Sequence, residues 1–293
     1  MGSTSDTFIM TNKFYLSDNL VALKSIPDNS VDLVYTDPPF NTGKKRVRQN
    51  KKAVQSSTGT QTGFQDKKYK VTSVSEALSY DDSFSDFESF IAPRIAEIHR
   101  VLKPTGSFYL HLDYRESPYA RILGDFIFGR ENFLNEIIWA YDYGGKPKTR
   151  WPAKHDNILF WVKDKSKYYW NDEEVARIPY MAPGMVSKEK AERGKKVTSC
   201  WWHTIVSPTG KEKTGYPTQK PLGIIERIIK ASSPPSGVIL DPFAGSGSTG
   251  EAAVRLGREF ILVDKNPESL KVTQERLAKY ESGLPAPVEY HTL

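Results

Sequence analysis

The chain has a single cysteine, Cys200, and no apolar run near the roughly 18 residues that a membrane-crossing helix needs. One cysteine excludes an internal disulfide and argues against a cysteine-based metal site. Cys200 itself reads as a small buried hydrophobe. The five histidines show no ligand spacing, so no metal is expected. The opening MGSTSDTFIM lacks a basic stretch followed by an apolar one, so no secretory signal is expected. These absences together lead to the expectation of a soluble, cytoplasmic protein with no membrane partner.

Enough apolar sequence is present for a large core. Of 293 residues, 38% are hydrophobic, which excludes a globally disordered chain. The length suits one large domain, 1–293, carrying an insertion. The net charge of +6 is unevenly spread. From 44 to 70 there are nine basic residues, Lys44, Lys45, Arg46, Arg48, Lys51, Lys52, Lys67, Lys68 and Lys70, against one acid, Asp66. That stretch alone carries +8, more than the whole chain. It is rich in Gln, Ser, Thr and Gly, shows no periodicity, and reads as a mobile basic loop over 44–75. Its charge suits phosphate contacts; a solvated loop with no partner is the plain alternative.

Elsewhere, short apolar runs alternate with amphipathic segments. KFYLSD, VDLVYTD, GSFYLHLD, NEIIWAYD, NILFWVK, GVILDPF and EFILVDK read as seven buried strands. Helices are expected over 84–102, 118–128, 221–231, 248–256 and 267–280. This alternation implies an α/β fold with a mainly parallel sheet covered on both faces. The polar stretch 171–216, which holds Trp201 and Trp202, breaks the pattern and reads as an insertion. Several strand runs end in aspartate, which places acids at the edge where open α/β sheets bind ligands.

Two turns carry chemistry. The first is Asp37-Pro38-Pro39-Phe40, directly after VDLVYT. Two prolines fix two φ angles and remove two donors, so the turn holds its carbonyls rigidly beside a carboxylate. Phe40 adds a stacking face. Such a turn suits a planar group with an exocyclic amine: one N–H goes to Asp37, the other to the Pro38 carbonyl. The second is the strand ending at Asp241 followed by Pro-Phe-Ala-Gly-Ser-Gly (242–247) and a helix. It lacks both the dinucleotide glycine pattern and the lysine of a phosphate-binding loop. Asp264 ends the next strand, where an acid can hold ribose hydroxyls. These features describe a nucleoside site without a phosphate anchor.

Together, in this order, the two turns resemble those of the β-class amino DNA methyltransferases, in which the catalytic turn precedes the cofactor turn. KFYLSDNLVALKSIPDNSVDLVYTDPPFN, HDNILFWVKDKSKYYWN and YPTQKP resemble further blocks of that family. The resemblance runs from about residue 12 to 280; the basic insertion after Phe40 departs from it. It implies a Rossmann-like methyltransferase sheet, mostly parallel, seven-stranded and circularly permuted, with a target-recognition insertion at 171–216.

The resemblance further implies S-adenosylmethionine as cofactor and double-stranded DNA as partner. Its implied setting is a prokaryotic or phage cytoplasm, at the nucleoid, and dimers are common in the family. Asp37, Pro38, Pro39 and Phe40 match its catalytic turn. Asp241, Phe243, Ala244, Gly245, Ser246 and Gly247 match the methionine side of the cofactor site, and Asp264 the ribose acid. Asp37 also borders the cofactor. Asp18, Thr218, Gln219 and Lys220 match its remaining cofactor-side positions; a helix N-cap for Asp18 and a surface charge for Lys220 are the plain alternatives. Lys44, Lys45, Arg46, Arg48, Lys51 and Lys52 would contact DNA. Asp at position 37 resembles the adenine-N6 members, whereas Ser resembles the cytosine-N4 ones, which stay the nearest alternative. The turn order argues against a protein-glutamine methyltransferase, and the intact Asp37 against a DNA-binding protein that has lost catalysis.

Overall fold

A computed structural model describes residues 12–40, 46–48, 51–55, 58, 61–62, 68–73, 78–80, 86–207, 210–283 and 287–293. Its main sheet has nine strands: β1 (Lys13–Leu16), β2 (Val31–Thr36), β3 (Leu102–Leu112), β4 (Phe133–Ala140), β5 (His155–Val162), β6 (Cys200–Trp202), β7 (Val238–Asp241), β8 (Glu259–Asp264) and β9 (Glu289–Thr292). Their order is β6-β4-β5-β3-β2-β7-β8-β1-β9, and every pairing is parallel except the two made by β5. The seven expected strands are all present. The sheet is wider than the expected seven by β6 and β9, short edge strands that each pair with one neighbour.

Among the described residues seven α-helices lie in chain order: α1 (Asn19–Ser25), α2 (Phe87–Val101), α3 (Ser117–Phe128), α4 (Lys188–Arg193), α5 (Leu222–Ser232), α6 (Ser248–Arg255) and α7 (Pro267–Leu277). The sheet alternates its side chains between two cores. Leu33 and Tyr35 of β2 join the core containing Ile224, Ile225, Ile228 and Ile229 of α5, while Val34 joins the one containing Ile91, Ile95 and Ile98 of α2. Spacings of three and four residues put each helix's isoleucines on one stripe, and each buried isoleucine contributes about 1.5–3 kcal/mol. The result is three layers, helices on both faces of the sheet. Among the described residues no helix is long and apolar enough to cross a membrane.

The topology brings the two sequence-distant turns together. Strands β7 and β8, from the last third of the chain, lie between β1 and β2, from its start. All four run parallel, so Asp37, Asp241, Asp264 and Asp18 stand at the C-terminal ends of four adjacent strands. That edge is where open α/β sheets bind ligands.

Two expectations change. The segment read as an aperiodic loop contains strands: 46–48 pairs with 78–80, and 51–55 and 61–62 both pair with 68–73. Alternation in Lys-Tyr-Lys-Val-Thr-Ser (68–73) is the local signal, short enough to be masked by the polar residues around it. Cys200 is exposed rather than buried, because on edge strand β6 it faces away from the side that buries Trp201. The stretch 171–216 holds a two-stranded pairing of 177–178 with 195–196, helix α4, and strand β6, which returns to the main sheet beside β4.

Candidate active site

Strand β2 is buried along its whole length and delivers Asp37 to the sheet edge. The two oxygens of Asp37 differ. Oδ2 accepts a hydrogen bond from Lys220 Nζ, an ion pair with both side chains mostly buried. Oδ1 is buried and has no hydrogen-bond partner among the described residues. A buried carboxylate oxygen left unpaired costs free energy, and such an atom at a cavity wall marks a place for a donor from a ligand. Lys220 Nζ also lies 4.9 Å from the centroid of the Phe40 ring. Lys220 therefore sits on the Asp37–Phe40 turn, between its carboxylate and its aromatic face.

The glycine turn is built on β7. Asp241 is fully buried, and its oxygens accept from Thr249 Oγ1 and, at 3.0 Å, from Phe243 N. Burial pushes its carboxyl up to about 7, against those two bonds; the nearby Asp37 and Asp264 charges add to the rise. Asp264 Oδ2 accepts from Gly245 N at 2.8 Å and Oδ1 from Asn266 N at 2.9 Å. Its burial likewise raises the pKa, opposed by these bonds. Gly247, with φ +71°, precedes α6; a Cβ there would lie 2.5 Å from Thr273 Oγ1, so it serves the packing of α6 on α7.

Gly245 has φ +51°, and a Cβ would stand 3.5 Å from the Tyr216 ring. A β-branched residue disfavours that backbone region by about 1–2 kcal/mol and would fill the cradle beside Tyr216. Gly245→Val is expected to lower S-adenosylmethionine affinity by roughly tenfold or more, because the free turn relaxes away from positive φ and binding must restore it at that cost of about 1–2 kcal/mol. Calorimetry on the folded variant checks this, and unchanged affinity would contradict the assignment.

The remaining cofactor-side positions are placed unequally. Asp18 caps α1, its Oδ1 accepting from Leu20 N at 2.9 Å, while Oδ2 faces Arg94 at 3.4 Å. The N-cap alternative is thus realised at one oxygen while the other meets Arg94. Thr218 has φ +55° at the cavity wall. Gln219 is tied locally, to Thr214 and to the Glu212 carbonyl.

One cavity of about 1290 Å³ joins the two turns. Asp18, Asp37, Pro38, Pro39, Phe40, Thr218, Gln219, Lys220, Asp241, Phe243, Ala244, Gly245, Ser246 and Asp264 all line it; Gly247 does not. Sites for one small molecule are typically about 300–1,000 Å³. This space exceeds that range and suits two planar groups side by side. The glycine cradle, Asp264 and a wall of carboxylates fit a nucleoside bearing positive charge, as S-adenosylmethionine does. The unpaired Asp37 Oδ1 waits at the other end.

Sequence reasoning missed a buried chain beneath Phe40. Tyr35 Oη is 2.8 Å from His111 Nδ1, His111 Nε2 is 3.1 Å from Asp156 Oδ2, and Tyr141 Oη donates to Asp156 Oδ1 at 3.0 Å. Burial pushes both tyrosines up, so they keep their protons. The Asp156 carboxylate accepts from His111 Nε2–H, and Tyr35 Oη shares a hydrogen bond with the other ring nitrogen. Burial raises the Asp156 pKa, but the bonds from His111 and Tyr141 and the Lys220 charge outweigh it and leave the carboxyl below its ordinary value. The His111 ring lies 6.0 Å from that of Phe40, so this chain fixes the floor under the stacking face. Arg94, also missed, donates to Asn19 Oδ1 at 2.7 Å and the Phe90 carbonyl at 2.6 Å, bracing the wall beside Asp18. No spacing in the sequence announces either set.

Of the basic candidates, Lys44 and Lys45 lie outside the described residues. Arg46 and Arg48 fall on one short strand, 46–48, and Lys51 and Lys52 on the next, 51–55.

Comparison with known proteins agrees with this geometry. A family model described as DNA methylase, of the N6/N4 type, matches residues 31–275. The DNA adenine methyltransferase YhdJ of Escherichia coli K12 is 31% identical over 271 residues, which is 89% of this chain and 80% of that protein. The type II methyltransferase M.HpaI of Haemophilus parainfluenzae is 29% identical over 94% of the chain and 76% of its own length. Among solved structures, the M1.HpyAVI–SAM complex superimposes with a TM-score of 0.57 at 22% identity, covering 90% of this chain and 98% of that one. The cytosine-N4-specific PvuII DNA methyltransferase gives 0.62 at 18%, covering 91% and 86%. With most of its length matched by the family model, and its catalytic and glycine turns meeting in one cavity, the chain belongs to the N6/N4 DNA methylase family, the β-class S-adenosylmethionine-dependent DNA methyltransferases.

Proposed function

We propose that this enzyme methylates the N6 amine of adenine in double-stranded DNA, at a base turned out of the duplex into the Asp37–Phe40 end of the cavity. The observation that carries the reading is the buried, unpartnered Asp37 Oδ1 in the same cavity as the Gly245 turn. Asp in the catalytic turn resembles the adenine type, and the 31%-identical relative is named for adenine.

S-adenosylmethionine supplies a methyl group activated on a sulfonium sulfur. Asp241, Phe243, Ala244, Gly245 and Ser246 would hold its methionine side, Asp264 its ribose, and Asp18 and Thr218 the far end. Gly247 supports that turn from behind. An exocyclic amine is a poor nucleophile because its lone pair is shared with the ring. Asp37 Oδ1 accepts one N–H and the Pro38 carbonyl the other, which favours a pyramidal nitrogen and stabilises the positive charge that grows on it. This is electrostatic preorganisation. Phe40 stacks on the base and Pro39 holds its backbone still, so the nitrogen faces the methyl in line. The proton that the methylated amine must shed would leave through the N–H bonded to Asp37 Oδ1 and pass to solvent water at the cavity mouth.

Nucleoside analysis of unmethylated genomic DNA after incubation with the enzyme and labelled S-adenosylmethionine tests this. N6-methyladenine is expected. N4-methylcytosine would overturn the choice of base, and no transfer despite cofactor binding would overturn the enzyme reading.

The basic segment extends the reading. Lys44, Lys45, Arg46, Arg48, Lys51 and Lys52 would hold phosphates near the catalytic turn, and 171–216 would read sequence. Neutralising Lys44, Lys45, Arg46 and Arg48 should weaken specific and unrelated DNA alike. The plot of log affinity against log salt should flatten by about 0.9 for each phosphate no longer neutralised. Cofactor affinity should not change, since its turn is built elsewhere. An unchanged slope with relaxed site preference would mean that the segment reads bases.

A further inference from the structure

The loop 142–154 joins β4 to β5, and both of its stems form cavity wall. Trp139 and Tyr141 line the cavity on one side, His155 and Asp156 on the other. The neck is closed by Tyr141 N donating to the Lys154 carbonyl at 2.9 Å, and Lys154 Nζ donates across the loop to the Gly144 carbonyl at 2.9 Å. Pro147 and Pro152 stiffen what lies between. The loop is therefore a held projection from the mouth of the active site.

Its tip sets three cations beside a bare aromatic ring. Lys146, Lys148 and Arg150 are exposed, with no hydrogen-bond or ion-pair partner among the described residues. Beside them Trp151 is 94% exposed, more than Trp202 at 74% or Trp170 at 43%, whereas Trp139, Trp161 and Trp201 are buried. A tryptophan side chain normally buries a large area, and aromatic side chains left wet beside a cationic strip are the pattern of nucleic-acid stacking sites. The cavity wall itself carries carboxylates, Asp37, Asp113 and Asp156 among them, which repel a polyanion. Of the cations that line this mouth, Arg115 is paired with Asp113 and Lys220 with Asp37, while Lys265 sits away from the Asp37 turn, beside Asp264. A duplex that delivers a base here needs positive charge at the rim, and this loop has it.

We infer that loop 142–154 docks on the DNA duplex beside the target base. Lys146, Lys148 and Arg150 contact phosphates, and Trp151 stacks on the bases opened when the target leaves. The inference rests on the proposed function, which supplies the turned-out base.

Three full-length variants test it against unmethylated genomic DNA fragments: Lys146→Ala/Lys148→Ala/Arg150→Ala together, Trp151→Ala and Trp151→Phe. The triple variant should flatten the salt plot by about 2.7, from about 0.9 per neutralised phosphate. Trp151→Ala should leave that slope in place and lower methyl transfer at saturating DNA by about tenfold or more, the usual scale for losing one base–aromatic stack. Trp151→Phe should keep most of the transfer. S-adenosylmethionine affinity, measured by calorimetry, should be unchanged in all three, which also shows that they fold. An unchanged slope in the triple variant, or full transfer by Trp151→Ala, overturns the inference. A wild-type chain that binds the cofactor yet methylates no DNA overturns the proposed function instead, and the salt slope still decides whether the loop meets DNA.

Discussion

Asp37→Ala is expected to lose at least about a hundredfold in methyl transfer, the usual cost of removing one preorganised partner of a transition state. The structure adds a second consequence. Asp37 is the partner of Lys220, and both side chains are mostly buried. Removing one member of such a pair leaves the other as an uncompensated charge, at about 3–5 kcal/mol when burial is complete and less here, where some water reaches both. Asp37→Ala should therefore melt at a lower temperature than the wild type as well as being inactive. Pairing it with Lys220→Met removes the orphaned ammonium. That double variant should recover most of the melting temperature and none of the transfer. Tritium transfer to DNA and thermal melting, read on the wild type and both variants, separate the two effects. A double variant that regained activity would show that Asp37 only holds Lys220, and would remove it from the mechanism.

This pair also shows where sequence reading stops. The catalytic turn, the glycine turn and Asp264 were legible because each is a local pattern: a strand run, then residues with restricted or permissive backbones. The parallel sheet was legible for the same reason, from apolar runs alternating with helical stripes. What joins Lys220 to Asp37 is a separation of 183 residues closed by the insertion of β7 between β2 and β8. A motif match assigns Lys220 to a block of sequence; only the fold shows which carboxylate it meets. The chain from Tyr35 through His111 to Asp156 was hidden in the same way, since three different strands contribute one residue each. Helix α1 escaped because it is seven residues long and follows a strand run without a break, although Asp18 is a good cap. Strands β6 and β9 escaped because Cys-Trp-Trp and Glu-Tyr-His-Thr are too short for a period to show. The loop 142–154 has ordinary loop composition, and its interest comes from where its stems are rooted.

Asp241→Asn is expected to stabilise the cofactor-free protein at alkaline pH and to leave it unchanged in acid. The Asp241 carboxyl is raised by burial from its ordinary 3.8 to about 7. Between those values the native chain holds a proton that the unfolded chain has released, so stability falls as pH rises. The contribution is full below about pH 4 and lost by the time pH has passed about 7. Three units correspond to about 4 kcal/mol as an upper scale. Asparagine fits the same contacts: its oxygen can accept from Phe243 N, and its amide can donate to Thr249 Oγ1, which then turns its own proton away. Chemical denaturation at about pH 4 and pH 8 should show the two proteins nearly equal in acid and the variant ahead in base. S-adenosylmethionine reverses the order, because a cation beside Asp241 favours the ionised carboxyl that burial alone disfavours. Wild-type cofactor affinity should therefore rise from pH 6 to pH 8 and release a proton on binding, while the asparagine variant should bind more weakly and lack that pH dependence. Parallel affinity profiles for the two proteins would mean that the cofactor's charge lies away from Asp241, and would displace this residue from the methionine side of the site.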